Sequence, residues 1–428
     1  MSRGNTPFIR NLEFEEFDLQ NNLHCILHKD KSKPSINILV GYKIGSKDEP
    51  EKKKGIAHLF EHLMFQGSKN IKKNEHFAVI QNAGGFCNAG TMQDFTFYFD
   101  SLPTNHLETG LWLESDRMIS LDLSNENLEN QKKVVIEEKH SRVDNAPYGT
   151  VFLNIFKEVF NGSKYEWGII GNEKDIESFT TEEAVSFHSK YYSPGNSVLL
   201  ISGDIDYGNT KDLISKYFGS ITKGNSIRRA DNVINTFVKE KRLTFYDNIT
   251  LPAIYICYVI PKAGSEEEYT LGYFSNIIAN NESSRLHKKL VYEKKLVKSV
   301  NALKYQLEDV GVFIIDAVAF PGTDLKEVEN DIYDEINHFN SPAGINKREF
   351  EKVRNAIELE HNFKYLTNQS INFEALVNWM YFKEKDFVSK KLERFLNVSI
   401  EDMIDSVKKY ILNKEKAVIT YLPKKELN

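Results

Sequence analysis

Apolar and polar positions follow two rhythms along this chain. Short β-rich runs, Ile36-Asn-Ile-Leu-Val-Gly-Tyr and Phe95-Thr-Phe-Tyr-Phe, predict strands. Apolar positions spaced by three and four residues predict helices from His58 to Phe65, Glu75 to Gln81, His106 to Ile119 and Leu128 to Val143. Asn196-Ser-Val-Leu-Leu-Ile-Ser predicts another strand, closed by Gly203-Asp. Polar residues then gather from Gly219 to Ala230 and predict a linker, taken as residues 219–240. Beyond it the order begins again. Ala253-Ile-Tyr-Ile-Cys-Tyr-Val-Ile and Val310-Gly-Val-Phe-Ile-Ile-Asp-Ala-Val read as strands, and Glu268 to Ala279, Leu325 to Phe339 and Lys347 to Phe363 as helices. Lys416-Ala-Val-Ile-Thr-Tyr-Leu echoes the Asn196 run, so the pattern predicts an α+β chain of two similar halves, 1–218 and 241–428.

Length agrees: 428 residues exceed one ordinary core, and ~150 residues per domain suggests two or three. Hydrophobic residues at 41% and aromatics at 12% suit globular cores and exclude a disordered chain. The net charge is -6 and the lysines are scattered among glutamates, which argues against a nucleic-acid partner. Cys25, Cys87 and Cys257 are odd in number and far apart, the pattern of neither a disulfide framework nor a cysteine zinc site, and they fit a reducing compartment. The N-terminus lacks a signal-like apolar core and no stretch of about 18 apolar residues follows. The expectation is a cytoplasmic protein with no membrane partner; a periplasmic chain whose signal had been removed would read the same.

Within the first helical pattern, Gly55-Ile-Ala-His-Leu-Phe-Glu-His-Leu-Met-Phe contains H-x-x-E-H. Residues at i and i+4 share a helix face, so His58 and His62 can present two imidazoles to one ion. Glu61, one turn from His58, can take a proton from an attacking water without being a ligand. With 11 histidines, such a motif arises by chance on the order of once in fifty chains of this kind. The plainer alternative is a helix with two structural histidines, but its neighbours are apolar nearly all round, and buried polar groups require partners. A catalytic zinc needs a third ligand. Leu128, Gln131, Val135 and Glu138 fall on one helical stripe while Glu137 points elsewhere, which makes Glu138 a candidate ligand against the alternative of a surface carboxylate.

These residues resemble the inverted-motif zinc peptidases that include pitrilysin, insulin-degrading enzyme and the mitochondrial processing peptidase, as a half-size member. The resemblance rests on His58-Leu-Phe-Glu-His-Leu-Met-Phe-Gln-Gly-Ser, Gly84-Gly-Phe-Cys-Asn-Ala-Gly-Thr-Met-Gln-Asp-Phe-Thr, Val134-Val-Ile-Glu-Glu, Tyr192-Ser-Pro-Gly-Asn-Ser and Gly203-Asp, in that order. It implies two structurally similar domains, each a mostly antiparallel sheet packed against helices, the first bearing zinc and the second non-catalytic. The family's third ligand lies about 76 positions after the second histidine, which is Glu138. Asn88 and Ala89 inherit an edge strand that holds an extended peptide by main-chain bonds. Phe65, Phe86 and Phe95 are candidates for side-chain pockets, with core packing the favoured alternative, and Phe65 is retained as a substrate-binding residue.

Two positions depart from the family pattern. A Glu that assists the site seven residues before the ligand is here Gln131, which can orient a neighbour but cannot carry charge. Ser283-Ser-Arg-Leu-His-Lys-Lys-Leu-Val-Tyr-Glu-Lys-Lys-Leu-Val-Lys-Ser-Val resembles the segment that gives an Arg and a Tyr to the substrate; Arg285 is present and Lys298 stands at the Tyr position. The implied protein is a zinc metalloendopeptidase subunit acting on peptides or unfolded segments in a two-subunit chamber. Its partner is a paralogous chain that supplies Arg and Tyr, or a second copy. The alternatives are a non-catalytic structural core subunit and a peptide-binding subunit.

Overall fold

The computed structural model describes residues 12–424 except 225, 226, 228, 230, 231, 233, 235, 236 and 238. Its strands are β1 (Glu15–Asp18), β2 (His24–Lys29), β3 (Ser35–Tyr42), β4 (Phe86–Thr91), β5 (Thr96–Pro103), β6 (Ser197–Gly203), β7 (Lys241–Asp247), β8 (Ala253–Ile260), β9 (Val297–Gln306), β10 (Gly311–Ala319) and β11 (Ala417–Pro423). The helices before β7 are α1 (Ile56–Leu63), α2 (Glu75–Asn82), α3 (Leu107–Ile119), α4 (Asn125–Lys139), α5 (Val151–Val159), α6 (Glu173–Glu177), α7 (Thr181–Tyr191) and α8 (Tyr207–Phe218). After β8 come α9 (Glu266–Ile278), α10 (Leu325–Asn337), α11 (Lys347–Lys364), α12 (Asn368–Tyr381), α13 (Phe387–Asn397) and α14 (Ile400–Tyr410). Among the described residues no helix is long and apolar enough to cross a membrane.

Two sheets form, with orders β1-β2-β6-β3-β5-β4 and β7-β11-β8-β10-β9. Without β1 they correspond position by position. The pairs β2–β6 and β7–β11 are parallel and every other neighbouring pair is antiparallel. The echo between the Asn196 and Lys416 runs is therefore positional, because β6 and β11 occupy the same place in their sheets.

One face of the first sheet packs on apolar residues of α1 to α4 and α6 to α8, such as Phe60, Leu111, Leu128, Phe187 and Ile214. One face of the second packs on α9, α10, α11 and α14. Each remaining face is covered from the other half. α12 lays Ile371, Leu376 and Met380 on β3 and β6, while α5 lays Val151, Ile155 and Phe156 on β8 and β11. Gly41 in β3 permits this approach, since a Cβ there would lie 2.2 Å from Leu376 Cδ1. Burial on both faces explains why β6 reads as an unbroken apolar run instead of an alternating one.

Polar groups fix the exchanged helices. Asn372 Nδ2 donates to Asn37 O at 2.8 Å, and Tyr421 OH accepts from Asn154 Nδ2 at 2.7 Å. At the junction, Lys47, 4% exposed, places its ammonium against Asp94 at 2.7 Å, Glu308 at 2.6 Å and Asp309 at 3.1 Å. A cation this deep is tolerated because carboxylates surround it. The expected linker, 219–240, lies partly outside the described residues. Of its described part, Arg229 donates to Asp48 at 2.8 Å and also to Glu308, and Asn232 donates to Asp309 at 3.1 Å.

Candidate metal centre

α1 is eight residues long and begins after Gly55, which holds φ at 99° and has no side chain with which to cap the helix. Glu49 caps it instead. Its carboxylate accepts the backbone N–H groups of Gly55 and Ala57, each at 2.9 Å, and the Trp167 indole N–H at 3.1 Å. Gly55 crosses Gly171 closely; a Cβ on Gly171 would sit 2.2 Å from Lys54 O. This crossing seats α1 between β4 and α4.

His58 and His62 project from one face of α1, and α4 brings Glu138 to them. Glu138 Oε2 lies 3.6 Å from His58 Nε2 and 3.2 Å from His62 Nε2. A tetrahedral zinc with ligands at ~2.0–2.1 Å separates its donor atoms by about 3.3 Å, so the spacing fits that ion. The same Oε2 is buried and has no directed hydrogen-bond donor, and His58 Nδ1 is likewise buried and unpartnered. Burial, followed by the neighbouring His62, pushes His58 down to about 4, which leaves a neutral imidazole able to coordinate. The close His62 imidazole, ahead of His58 and Arg142, holds the Glu138 carboxyl below its usual range. Arg142 Nη1 contacts the second oxygen, Oε1, at 2.6 Å, which leaves Oε2 turned toward the histidines.

Glu61 completes the group. Thr91 Oγ1, at the end of β4, donates to Glu61 Oε2 at 2.7 Å. Burial raises the Glu61 carboxyl above its ordinary value while the Thr91 hydroxyl pulls it down. Thr91 and Glu49 were not among the residues singled out from the sequence. Thr91 closes the Asn-Ala-Gly-Thr run, a usable signal, whereas Glu49 stands in an ordinary charged stretch, Asp48-Glu-Pro-Glu-Lys-Lys-Lys.

The other candidates are dispersed. Gln131 is buried on the Leu128–Val135 stripe of α4, one heptad before Glu138. Among the described residues β4 is an edge strand paired with β5 alone, and there Asn88 Oδ1 accepts the Ala89 N–H at 2.9 Å. Phe65 corrects the expectation of a substrate pocket: α1 ends before it, and it is a core side chain stacked on Phe77 and set edge-on to His76. Phe95 is also core, against Tyr381, while Phe86 is exposed on β4. Arg285 is committed inside the second half, forked onto Glu349, donating to Gly344 O at 2.8 Å and lying over Phe339. That pairing occupies the guanidinium in this structure. Lys298 is exposed on β9.

Residues 24–173 match the family model described as "Insulinase (Peptidase family M16)", and residues 178–357 match "Peptidase M16 inactive domain". The "Zinc protease PqqE" of Helicobacter pylori is 26% identical over 420 residues, 96% of this chain and 93% of that protein. A solved protease structure from Helicobacter pylori superposes with a TM-score of 0.90 at 24% identity, covering 96% of this chain and 100% of that one. The periplasmic protease PqqL from Escherichia coli superposes with a TM-score of 0.79 at 16% identity. It covers 97% of this chain and 48% of its own.

Proposed function

The chain belongs to peptidase family M16, and on that premise we propose that it is the metal-bearing subunit of a zinc endopeptidase that cleaves peptides or unfolded polypeptide segments. His58, His62 and Glu138 are the residues that hold the ion. The observation that carries the reading is the convergence of two imidazole nitrogens and an orphaned carboxylate oxygen at 3.6 and 3.2 Å, with the Thr91-held Glu61 beside them. Zinc, when bound, lowers the pKa of a water toward ~7 and polarises a carbonyl.

The residues of the chain do the rest. Glu61 receives the proton of the attacking water on the oxygen that Thr91 does not hold. It then returns that proton to the leaving amine. A peptide enters as an added strand on β4. Ala89 N–H leaves Asn88 Oδ1 to bond the incoming main chain, and such bonds do not discriminate between side chains. Gln131, an amide where the family pattern has a Glu, can support the site as a hydrogen-bonding group but not as a charge.

A partner chain completes the chamber. Lys298 in place of a Tyr, and Arg285 tied to Glu349, leave this half without the groups that would steady the developing oxyanion. A paralogue supplies them, or a second copy assembles a chamber that tolerates Lys298. The separated cysteines fit a reducing compartment.

The test is cleavage of an unstructured peptide together with metal analysis. Glu61→Gln is expected to keep stoichiometric zinc and lose activity about 10²–10⁴-fold. Purified protein without stoichiometric zinc, or a Glu61→Gln variant as active as the parent, would overturn the reading. Activity of the chain alone is expected to rise on adding an adjacent paralogue that lacks H-x-x-E-H; full activity alone refutes the need for that partner.

A further inference from the structure

We propose that His76, Cys87 and Asp100 form a second cation site, for zinc or a similar borderline-soft divalent ion, on the face of β4 that also carries Thr91. The three residues come from separate elements. Cys87 and Asp100 are direct partners in the β4–β5 ladder, so their side chains leave the same face of the sheet. α2 lies against β4 there and brings His76 Nε2 to 3.2 Å from Asp100 Oδ1. One donor atom from each of the three lies within 4.8 Å of the others. The wide sequence spacing of the cysteines gave no hint of this, because the sheet register, not the sequence, places Cys87 beside Asp100.

Two observations point to a ligand. Asp100 is fully buried and its Oδ2 has no hydrogen-bond partner. An orphan carboxylate oxygen at that depth calls for an acceptor of charge. The charges around it are also unbalanced. Glu114 is forked onto Arg117, both buried, and the same guanidinium also attracts Asp100, so two buried carboxylates share one cation. A divalent ion together with a Cys87 thiolate makes the group neutral: two carboxylates and one thiolate against one guanidinium and the ion. Burial, followed by the Asp100 charge, pushes the Cys87 thiol up to about 12, so metal binding displaces that proton to solvent. The exposed group of His140, Asp144 and Glu173 lacks this character, since Lys139 already bonds both carboxylates.

Cys87 and Thr91 are four residues apart on one strand, roughly 14 Å at ~3.4 Å per residue. An ion at Cys87 therefore ties α2, β4 and β5 together at the far end of the strand that holds Glu61. This site contains sulfur and the His58–His62–Glu138 group does not, so the two can be read separately.

The full chain is stripped with chelator and titrated with Co²⁺. Two equivalents are expected, one accompanied by near-ultraviolet thiolate-to-cobalt charge-transfer absorption. Cys87→Ser is expected to lose that band and one equivalent, and His76→Gln to weaken the same equivalent at least tenfold. His58→Ala with His62→Ala is expected to lose the other equivalent and keep the band. A parent that shows no thiolate band overturns the proposal whatever its variants do, as does a band that persists in Cys87→Ser. A parent that shows the band but binds no second equivalent counts against the catalytic reading and leaves this one standing.

Discussion

Replacing Glu49 by alanine should unfasten the helix that delivers His58, Glu61 and His62. Three donors, Gly55 N–H, Ala57 N–H and Trp167 indole N–H, lose their acceptor in a place where Glu49 itself is 6% exposed. Loss of an N-cap costs ~1 kcal/mol. Each buried donor left unsatisfied costs roughly 1–3 kcal/mol, less where water reaches it. Three such donors, two of which are the cap itself, sum to roughly 3–9 kcal/mol, a large share of the ~5–15 kcal/mol that holds a typical native state. At ~1.4 kcal/mol per tenfold, the lower bound predicts amide exchange on Leu59 to Leu63 more than 100-fold faster, with α14, which packs on α9 and β8, as the internal reference. Metal affinity should fall with it, because only the ordered helix presents both imidazoles. Glu49→Gln keeps one acceptor and should lie between parent and alanine. Burial, ahead of the three donors that oppose it, pushes the Glu49 carboxyl up to about 8. A carboxyl raised in the fold binds its proton more tightly there than in the unfolded chain. Its contribution is therefore intact below its ordinary value near 4.5 and is lost as pH rises through about 8. The advantage of the parent over Glu49→Gln should narrow across that window. Parent-like exchange of the α1 amides in Glu49→Ala would refute the capping argument.

Thr91→Val removes the donor to Glu61 with little change of shape; kcat/KM should drop about 10- to 100-fold while zinc content holds, and an unchanged rate would detach Thr91 from the site. Gly171→Ala places a Cβ 2.2 Å from Lys54 O at a φ of 79°, so thermal melting should come several degrees earlier, with metal affinity reduced; equal melting would show that the α1 crossing can yield. His361 is pushed down to about 4 by burial, then by Lys391, so its contribution is present above its ordinary 6.5 and lost as pH falls toward 4. The melting temperature of the parent should accordingly fall over that window more steeply than that of His361→Gln; parallel curves would contradict the assignment.

Much of this architecture was legible in the chain. Helix periodicity placed His58 and His62 on one face of α1, and the stripe through Leu128, Gln131 and Val135 set Glu138 apart from Glu137 on α4. The recurring order of elements announced two sheets of one topology, because apolar rhythm and turn residues are local properties that sequence records directly. Phe65 was misplaced because an aromatic side chain near a metal helix looks alike in sequence whether it lines a groove or fills a core; only its stacking on Phe77 decided it. The Arg285–Glu349 pairing was hidden for a similar reason, the two residues standing 64 positions apart. Long-range choices belong to the tertiary structure. These include the exchange of α5 and α12 between the halves, the Glu49 cap on α1, the Thr91 bond to Glu61 and the meeting of Cys87, Asp100 and His76. Each depends on strand register and helix docking, which are fixed by mutual burial of many side chains at once. No single segment encodes them, so the sequence determined which residues could do chemistry, and the packing decided which of them stand together.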